Sequence, residues 1–235
     1  MSNPYFNFKQ FTVRQDRTAM KVGTDGVLLG AWANISGSVR ILDIGTGTGL
    51  IALMTAQRNI HARIDAIEIS SEACGQAKEN FEASLWHERL HIFNCSLQEY
   101  SSEDTYDTII CNPPFFIHST QTPDTNRTTA RHCEQLTHPE LLEHAARLLT
   151  ITGSFSVILP TTEATAFVKE AREHKLYVSR ITHVLPNPEK PAKRWLMEFT
   201  KTERNTVTDK LVTELERHKY SEAYILLTKD FYLNL

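Results

Sequence analysis

The sequence predicts an α/β protein: a doubly wound, mostly parallel sheet of seven strands with one antiparallel strand at its edge. Three observations predict it. Apolar runs of strand length alternate with segments of helical period from Val39 to Lys175. A glycine-rich turn, Gly45-Thr46-Gly47-Thr48-Gly49, separates the first core strand from its helix. Two late strands, Tyr177–Leu185 and Arg194–Lys201, are joined through Pro186, Pro188 and Pro191 with no helix between them, which makes them an antiparallel hairpin.

Taken in order, Phe6, Phe8, Phe11 and Val13 alternate imperfectly with polar residues, a short edge strand or an ordered arm. Asp25 is a reasonable N-cap for a helix through Ala33. Val39–Ile44 is the first core strand, and Leu50 to about Arg58 its helix. Ile64–Ile69 is the second strand, carrying Glu68 at its end, and Ser70 or Ser71 caps a helix to about Leu85. Leu90–Cys95 and Asp107–Cys111 follow as strands. Thr137 and Glu140 fit a capping box for a helix through Leu149. Gly153–Leu159 is a strand and Thr162–Lys175 a helix. Thr206–Val207 is an edge strand or a loop, and Ser221–Thr228 a last short helix. No low-complexity linker or internal repeat interrupts residues 1–235, so one domain is expected, with residues 1–24 as an N-terminal arm.

The 235 residues are 41% hydrophobic and 23% charged, the balance of a soluble globular chain. A net charge of −3 argues against a generally basic nucleic-acid binder and leaves local patches open. Cys74, Cys95, Cys111 and Cys133 lack metal-ligand spacing and read as reduced core thiols. His118, His132 and His138 also lack it and read as surface residues, so no metal is expected. No apolar run approaches a membrane span or a secretory signal, and a cytoplasmic location is expected.

Chemistry concentrates at two strand ends. Tyr106–Phe116 is an apolar strand stopped by Asn112-Pro113-Pro114-Phe115-Phe116. The prolines cannot continue a central strand, and each pushes its predecessor to an extended conformation. Such a corner presents the Asn112 amide and the Pro113 carbonyl as acceptors able to grip both hydrogens of an amino group. Phe115 follows to stack on a flat ring. In isolation the same corner also suits a plain strand-ending turn over a core phenylalanine.

At the other strand end, glycines allow close ligand approach and positive φ. The spacing is Asp43-x-Gly45-x-Gly47-x-Gly49. A dinucleotide loop would need its third glycine at position 50, which is Leu50, and no Lys-Ser/Thr follows for a phosphate loop. Asp43 would repel a pyrophosphate but suits an ammonium group. Glu68, at the end of the next strand, suits the two hydroxyls of a ribose, or is a solvent-exposed strand-end carboxylate.

Together these motifs resemble the class I S-adenosylmethionine-dependent methyltransferases, over about Val22 to Lys201. The resemblance implies a Rossmann-like class I methyltransferase fold and S-adenosyl-L-methionine as cofactor, held by Asp43, Gly45, Gly47, Gly49 and Glu68 and adjoined by Asn112. Asn-Pro-Pro-Phe marks members that methylate planar amino or amide nitrogens, which gives catalytic roles to Asn112, Pro113 and Phe115. The run Gln15 to Trp32 and the ending Lys229-Asp230-Phe231-Tyr232-Leu233 are similar to bacterial enzymes that methylate N6 of adenosine 37 in valine tRNA. This implies that the arm, with Lys21 and Thr24, lies over the cofactor. Asn94-Cys95-Ser96 stands where many relatives carry an acidic residue for the adenine amino group, leaving that contact to Ser96 or nearby backbone.

The resemblance also implies an extruded adenine held against Pro114, Phe115 and Phe116. Arg127 and Arg131, then Lys190, Lys193 and Arg194, then Arg14, Arg17 and Lys21 are candidate phosphate contacts, or ordinary solvated charge. Competing acceptors are guanine N2 of ribosomal RNA, the glutamine amide of a release factor and DNA adenine. The release-factor enzymes usually carry an N-terminal helical domain, for which too few residues precede the glycine loop. A non-catalytic RNA-binding protein with a vestigial cofactor fold is a further reading, which the intact Asp43, Glu68 and Asn112 count against. A nucleotide-dependent oxidoreductase is disfavoured by the glycine spacing.

Overall fold

A computed structural model describes residues 3–102, 104–113 and 136–234. The chain opens with an antiparallel pair, β1 (Tyr5–Asn7) and β2 (Thr12–Arg14), followed by α1 (Thr24–Trp32). The first βαβ unit runs β3 (Arg40–Ile44), α2 (Leu50–Arg58), β4 (Arg63–Glu68). Then come α3 (Ser71–Glu82), β5 (Leu90–Asn94) and β6 (Tyr106–Cys111). After residue 135 the order is α4 (His138–Leu148), β7 (Leu149–Pro160), α5 (Thr161–Glu173), β8 (Tyr177–Leu185), β9 (Arg194–Thr200) and β10 (Val207–Val212). A small hairpin of β11 (Glu214–Glu216) and β12 (Lys219–Tyr220) leads to α6 (Glu222–Thr228).

The main sheet has the order β10-β8-β9-β7-β6-β3-β4-β5. Its one reversed strand is β9, antiparallel to β7 and β8 in the edge half. β10 adds an eighth strand beside β8, where the sequence showed only Thr206–Val207. The chain leaves β3 towards β4 and β5, then returns to lay β6 on the other side of β3. This reversal opens a crevice at the carboxyl ends of β3 and β6, the place where such sheets receive ligands.

Both faces of the sheet are covered, so its strands are apolar on both sides. Ile41, Ile64, Ile110 and Ile158 face a core shared with α1, α2 and α3. Leu42, Ile67, Ile109 and Val157 face a second core against α4 and α5, with Phe155, Phe167 and Phe199 at ring separations of 5.6–6.4 Å. The capping box at Thr137 is present, and Ser70 and Ser221 cap α3 and α6. Asp25 is not the cap of α1. Gly23 holds that position, and Asp25 sits in the first turn, where Arg194 Nε donates to it at 2.8 Å.

Helix α1 has no basic residue in its last turn. Its terminal carbonyls are met from elsewhere: Arg58 donates to Gly30 and Ala33, and Arg180 donates to Trp32 while its guanidinium lies 3.6 Å from the Trp32 ring centroid. These cations also complement the negative end of the helix dipole. These contacts fix the carboxyl end of α1 to α2 and β8. Among the described residues no helix is long and apolar enough to cross a membrane.

Candidate active site

The glycine loop leaves β3 through three left-handed residues, Gly45, Gly47 and Gly49, at φ of 66°, 57° and 82°. A Cβ on Gly45 or Gly47 would meet nothing within 4 Å, so the space before these two residues is open to a ligand. Gly49 differs. A Cβ there would lie 2.5 Å from Phe81 Cε1, so this glycine lets α3 pack against the loop and does not line the crevice. Gly45 and Thr46 donate their N–H groups to the Ile67 carbonyl, tying the loop to β4.

Two carboxylates hold the loop's shape. Asp43 is buried, and its Oδ2 accepts from Thr46 Oγ1 at 2.5 Å and from the Ala52 N–H at 3.1 Å. Its Oδ1 is buried without a partner. Burial, with a smaller push from Glu68 and against the two hydrogen bonds, raises the Asp43 pKa from 3.8 to about 7. An unpartnered buried carboxylate oxygen is costly, and a cationic group placed against it would remove the cost. Glu68 accepts the Gly47 N–H at one oxygen and the Ser70 N–H at the other, both at 2.9 Å. Each oxygen keeps a second acceptor site, enough for a vicinal pair of hydroxyls.

Opposite the loop, β6 ends and Asn112 begins the corner. Asn112 Oδ1 is buried and has no hydrogen-bond partner. Its Nδ2 lies 3.8 Å from where a Cβ on Gly26 of α1 would stand. Gly26 is a residue the sequence did not single out; a Cβ there would stand at ordinary contact distance from Asn112 and would meet Leu50 Cδ2 closely, at 3.1 Å, so the glycine lets α1 pack against α2. Between loop and corner lies a cleft of about 270 Å³, lined by Gly45, Gly47, Glu68, Asn112 and Pro113, with Ile44 and Ile67 as apolar surface.

The remaining predicted residues fall unevenly. Pro114, Phe115, Phe116, Arg127 and Arg131 lie outside the described residues, as do Cys133, His118 and His132. Ser96 lines the cleft, and its hydroxyl donates to Glu99 at 2.8 Å while accepting the Glu99 N–H at 3.2 Å. Of the arm, Thr18, Ala19 and Met20 line the cleft, whereas Lys21 and Thr24 are exposed beside it. Lys190 and Lys193 are exposed in the loop from β8 to β9, and Arg194 is engaged with Asp25. The β8–β9 loop leaves the same sheet edge as the Asn112 corner, since β8 and β6 run in one direction.

Cys111 is buried beside Asp43, and burial first, then that carboxylate, raises its thiol pKa well above the usual value. A thiol held protonated is a poor nucleophile. His138 is not a surface residue: it packs edge-on to Phe167 at 5.0 Å, and burial lowers its pKa.

Comparison with known proteins places this geometry. The family model described as the methyltransferase small domain matches residues 22–170. Curated proteins named tRNA1(Val) (adenine(37)-N6)-methyltransferase are similar along the whole chain. The one from Bacteroides thetaiotaomicron is 48% identical over all of both chains. The one from Flavobacterium psychrophilum is 49% identical over 98% of this chain and all of its own. Among solved structures, a predicted O-methyltransferase from Agrobacterium tumefaciens superposes with a TM-score of 0.69 at 17% identity, covering 90% of this chain and 100% of that one. The CcbJ methyltransferase of Streptomyces caelestis gives 0.60 at 11% identity, covering 80% and 96%. At such identities these two speak to the fold alone.

Proposed function

Because the chain belongs to the methyltransferase small domain family, with relatives of near half identity over its full length, we propose that it methylates N6 of adenosine 37 in valine tRNA. S-adenosyl-L-methionine supplies an electrophilic methyl group on a sulfonium, and the protein's residues supply position. In this reading Asp43 Oδ1 takes the cofactor's ammonium group, Glu68 its ribose hydroxyls, and Gly45 and Gly47 leave room for it. Gly49 acts indirectly, by seating the loop on Phe81. Ser96 and its turn border the adenine, and the arm, residues 1–24, lies over the cofactor, with Thr18, Ala19 and Met20 as its wall and Lys21 and Thr24 beside them.

The observation that carries the reading is the buried, unpartnered Asn112 Oδ1 at the cleft. An exocyclic amino group is a donor that satisfies it, and the Pro113 carbonyl can take the second hydrogen. With both N–H bonds directed to acceptors, the nitrogen lone pair points at the methyl group. An aromatic amine loses its proton after attack, so no strong base is required, and positioning carries the rate. The base must leave its stack to reach this corner. Pro114, Phe115 and Phe116 would then border it, with Arg127, Arg131, Lys190, Lys193 and Arg194 towards the phosphates.

The test is Asn112→Ala with an unmodified valine tRNA transcript and a second transcript lacking adenosine 37. Cofactor affinity should hold, and methyl transfer should fall by about a hundredfold or more, the scale of one lost hydrogen bond in a closed site. Equal methylation of the two transcripts would overturn the assigned nucleoside. Full activity of Asn112→Ala would overturn the mechanism.

A further inference from the structure

Asn80 sits on α3, outside every motif, yet is 2% exposed. Its side chain makes three hydrogen bonds to two distant segments. Oδ1 accepts the Arg14 N–H at 2.9 Å, and Nδ2 donates to the Arg14 carbonyl at 2.9 Å and to the Thr48 carbonyl at 2.8 Å. Arg14 ends β2 in the arm, and Thr48 belongs to the glycine loop. One helical turn earlier, the buried Gln76 accepts the Arg17 N–H at 3.2 Å. The next three residues, Thr18 to Met20, form one wall of the cofactor cleft, and Gly47, before Thr48, forms the other.

We propose that Asn80 is a positioning residue for cofactor binding: it joins the arm to the glycine loop and so fixes the width of the cleft between them. The inference rests on the cofactor reading above. An amide is the group this place requires. The arm offers both a donor and an acceptor, the loop offers an acceptor, and a primary amide meets all three at once. A carboxylate at position 80 would still accept the Arg14 N–H but would face two carbonyl oxygens with no hydrogen to offer. An apolar residue would leave three backbone groups unmatched, the Thr48 carbonyl buried and the two of Arg14 partly so. Phe81, seated against Gly49, fixes the loop from the same helix, so α3 sets the loop's height while Asn80 ties the arm to it.

The test is titration calorimetry of the full chain with S-adenosyl-L-methionine, for wild type, Asn80→Asp, Gln76→Leu and Ser84→Ala. Ser84 is a buried polar residue just past α3 whose hydroxyl donates to Phe81 and touches neither wall. Asn80→Asp should weaken cofactor binding roughly tenfold or more. Gln76→Leu, which removes a bond to the arm and none to the glycine loop, should weaken it several-fold, and Ser84→Ala should lower the melting temperature without moving the Kd. In turnover, the KM for cofactor should rise with the Kd, while kcat at saturating cofactor and the KM for RNA stay near wild type. A purely structural role predicts the opposite pattern: lower Tm and active fraction with unchanged Kd in the folded protein. Wild-type affinity in folded Asn80→Asp and Gln76→Leu would overturn the proposal, and Gln76→Leu decides alone if Asn80→Asp does not fold. A wild-type chain that takes up no cofactor would sink the functional reading as well, so the two failures are distinguishable.

Discussion

Asp43 carries the sharpest consequence of the site's geometry. Its carboxyl is buried and its pKa stands at about 7 in place of 3.8, with burial as the main cause. A rise of about three units means that ionising it costs ~4 kcal/mol more than ionising an exposed aspartate. In the proposed binding mode the cofactor's ammonium group set against Oδ1 recognises the ionised form, so binding would expel the proton. The sign follows. Below about pH 7 most of the free protein is protonated, and affinity falls towards tenfold for each further pH unit. Above it affinity is flat, until the cofactor's own α-amino group loses its proton near pH 8 (about the ordinary value for such a group). The Kd at about pH 6 should therefore be roughly tenfold weaker than at about pH 7.5. Titration calorimetry in two buffers of different ionisation enthalpy reads both quantities: close to one proton released at about pH 6 and few at about pH 7.5. Asp43→Asn should bind weakly and without this pH dependence. The unliganded protein gives an independent check. A raised carboxyl pKa adds stability that is fully present below about pH 4 and lost as pH rises through about 7. The Tm of Asp43→Asn relative to wild type should therefore be higher at about pH 7.5 than at about pH 5. Equal cofactor affinity across the acid range, with no proton released, would refute the assignment of Oδ1 to an ammonium group.

Two other substitutions separate roles within the same loop. Gly47→Val should abolish cofactor binding in the folded protein, because its side chain enters the open space before the loop; at φ 57° the β-branched residue is also strained, so the Tm should fall while the circular dichroism spectrum is retained. Gly49→Ala should act on the fold: its methyl group meets Phe81, and overpacking of this kind costs about 1–3 kcal/mol, read as a lower Tm. Cys111→Ser should lower stability through a buried hydroxyl while leaving turnover of the folded, cofactor-saturated enzyme within about threefold of wild type; a loss beyond about a hundredfold would point to nucleophilic catalysis.

Legibility in the sequence followed the strength of local signals. Helix α2 and strand β8 lie where their apolar patterns put them, and Thr137 caps α4 through the expected box. β10 was missed beyond Val207 because Thr208, Asp209 and Lys210 are exposed and only Leu211 is buried, so no alternation marks it. An edge strand needs only one neighbour, and β8 provides it. The β11–β12 hairpin turns on Arg217 and His218, with His218 at φ 65° and no glycine or asparagine to announce it. The arm's order comes from contacts across the whole chain: Phe8 stacks near Tyr232 at 5.9 Å and pairs with it through a backbone bridge. No local pattern encodes a partner more than 200 residues away.

At the site, the division is between residues that meet a ligand and residues that hold the first kind in place. Asp43, Glu68 and Asn112 were legible as candidates because each stands at the carboxyl end of a parallel strand, beside a glycine loop or a proline corner, where such sheets receive ligands. Their states were not legible. Whether Asp43 keeps an oxygen unpartnered depends on Thr46 and Ala52 occupying the other one, and its raised pKa depends on the depth of burial. The holding residues left only one faint trace, polar side chains on the buried side of a helix. Gln76 and Asn80 share that side of α3 with Ala73 and Ala77, where an amphipathic pattern calls for apolar residues. A polar residue on a buried helical face must find partners or be destabilising, so it marks a place where the helix meets backbone from elsewhere. Here that backbone belongs to the arm and the glycine loop, the two walls between which the cofactor would lie.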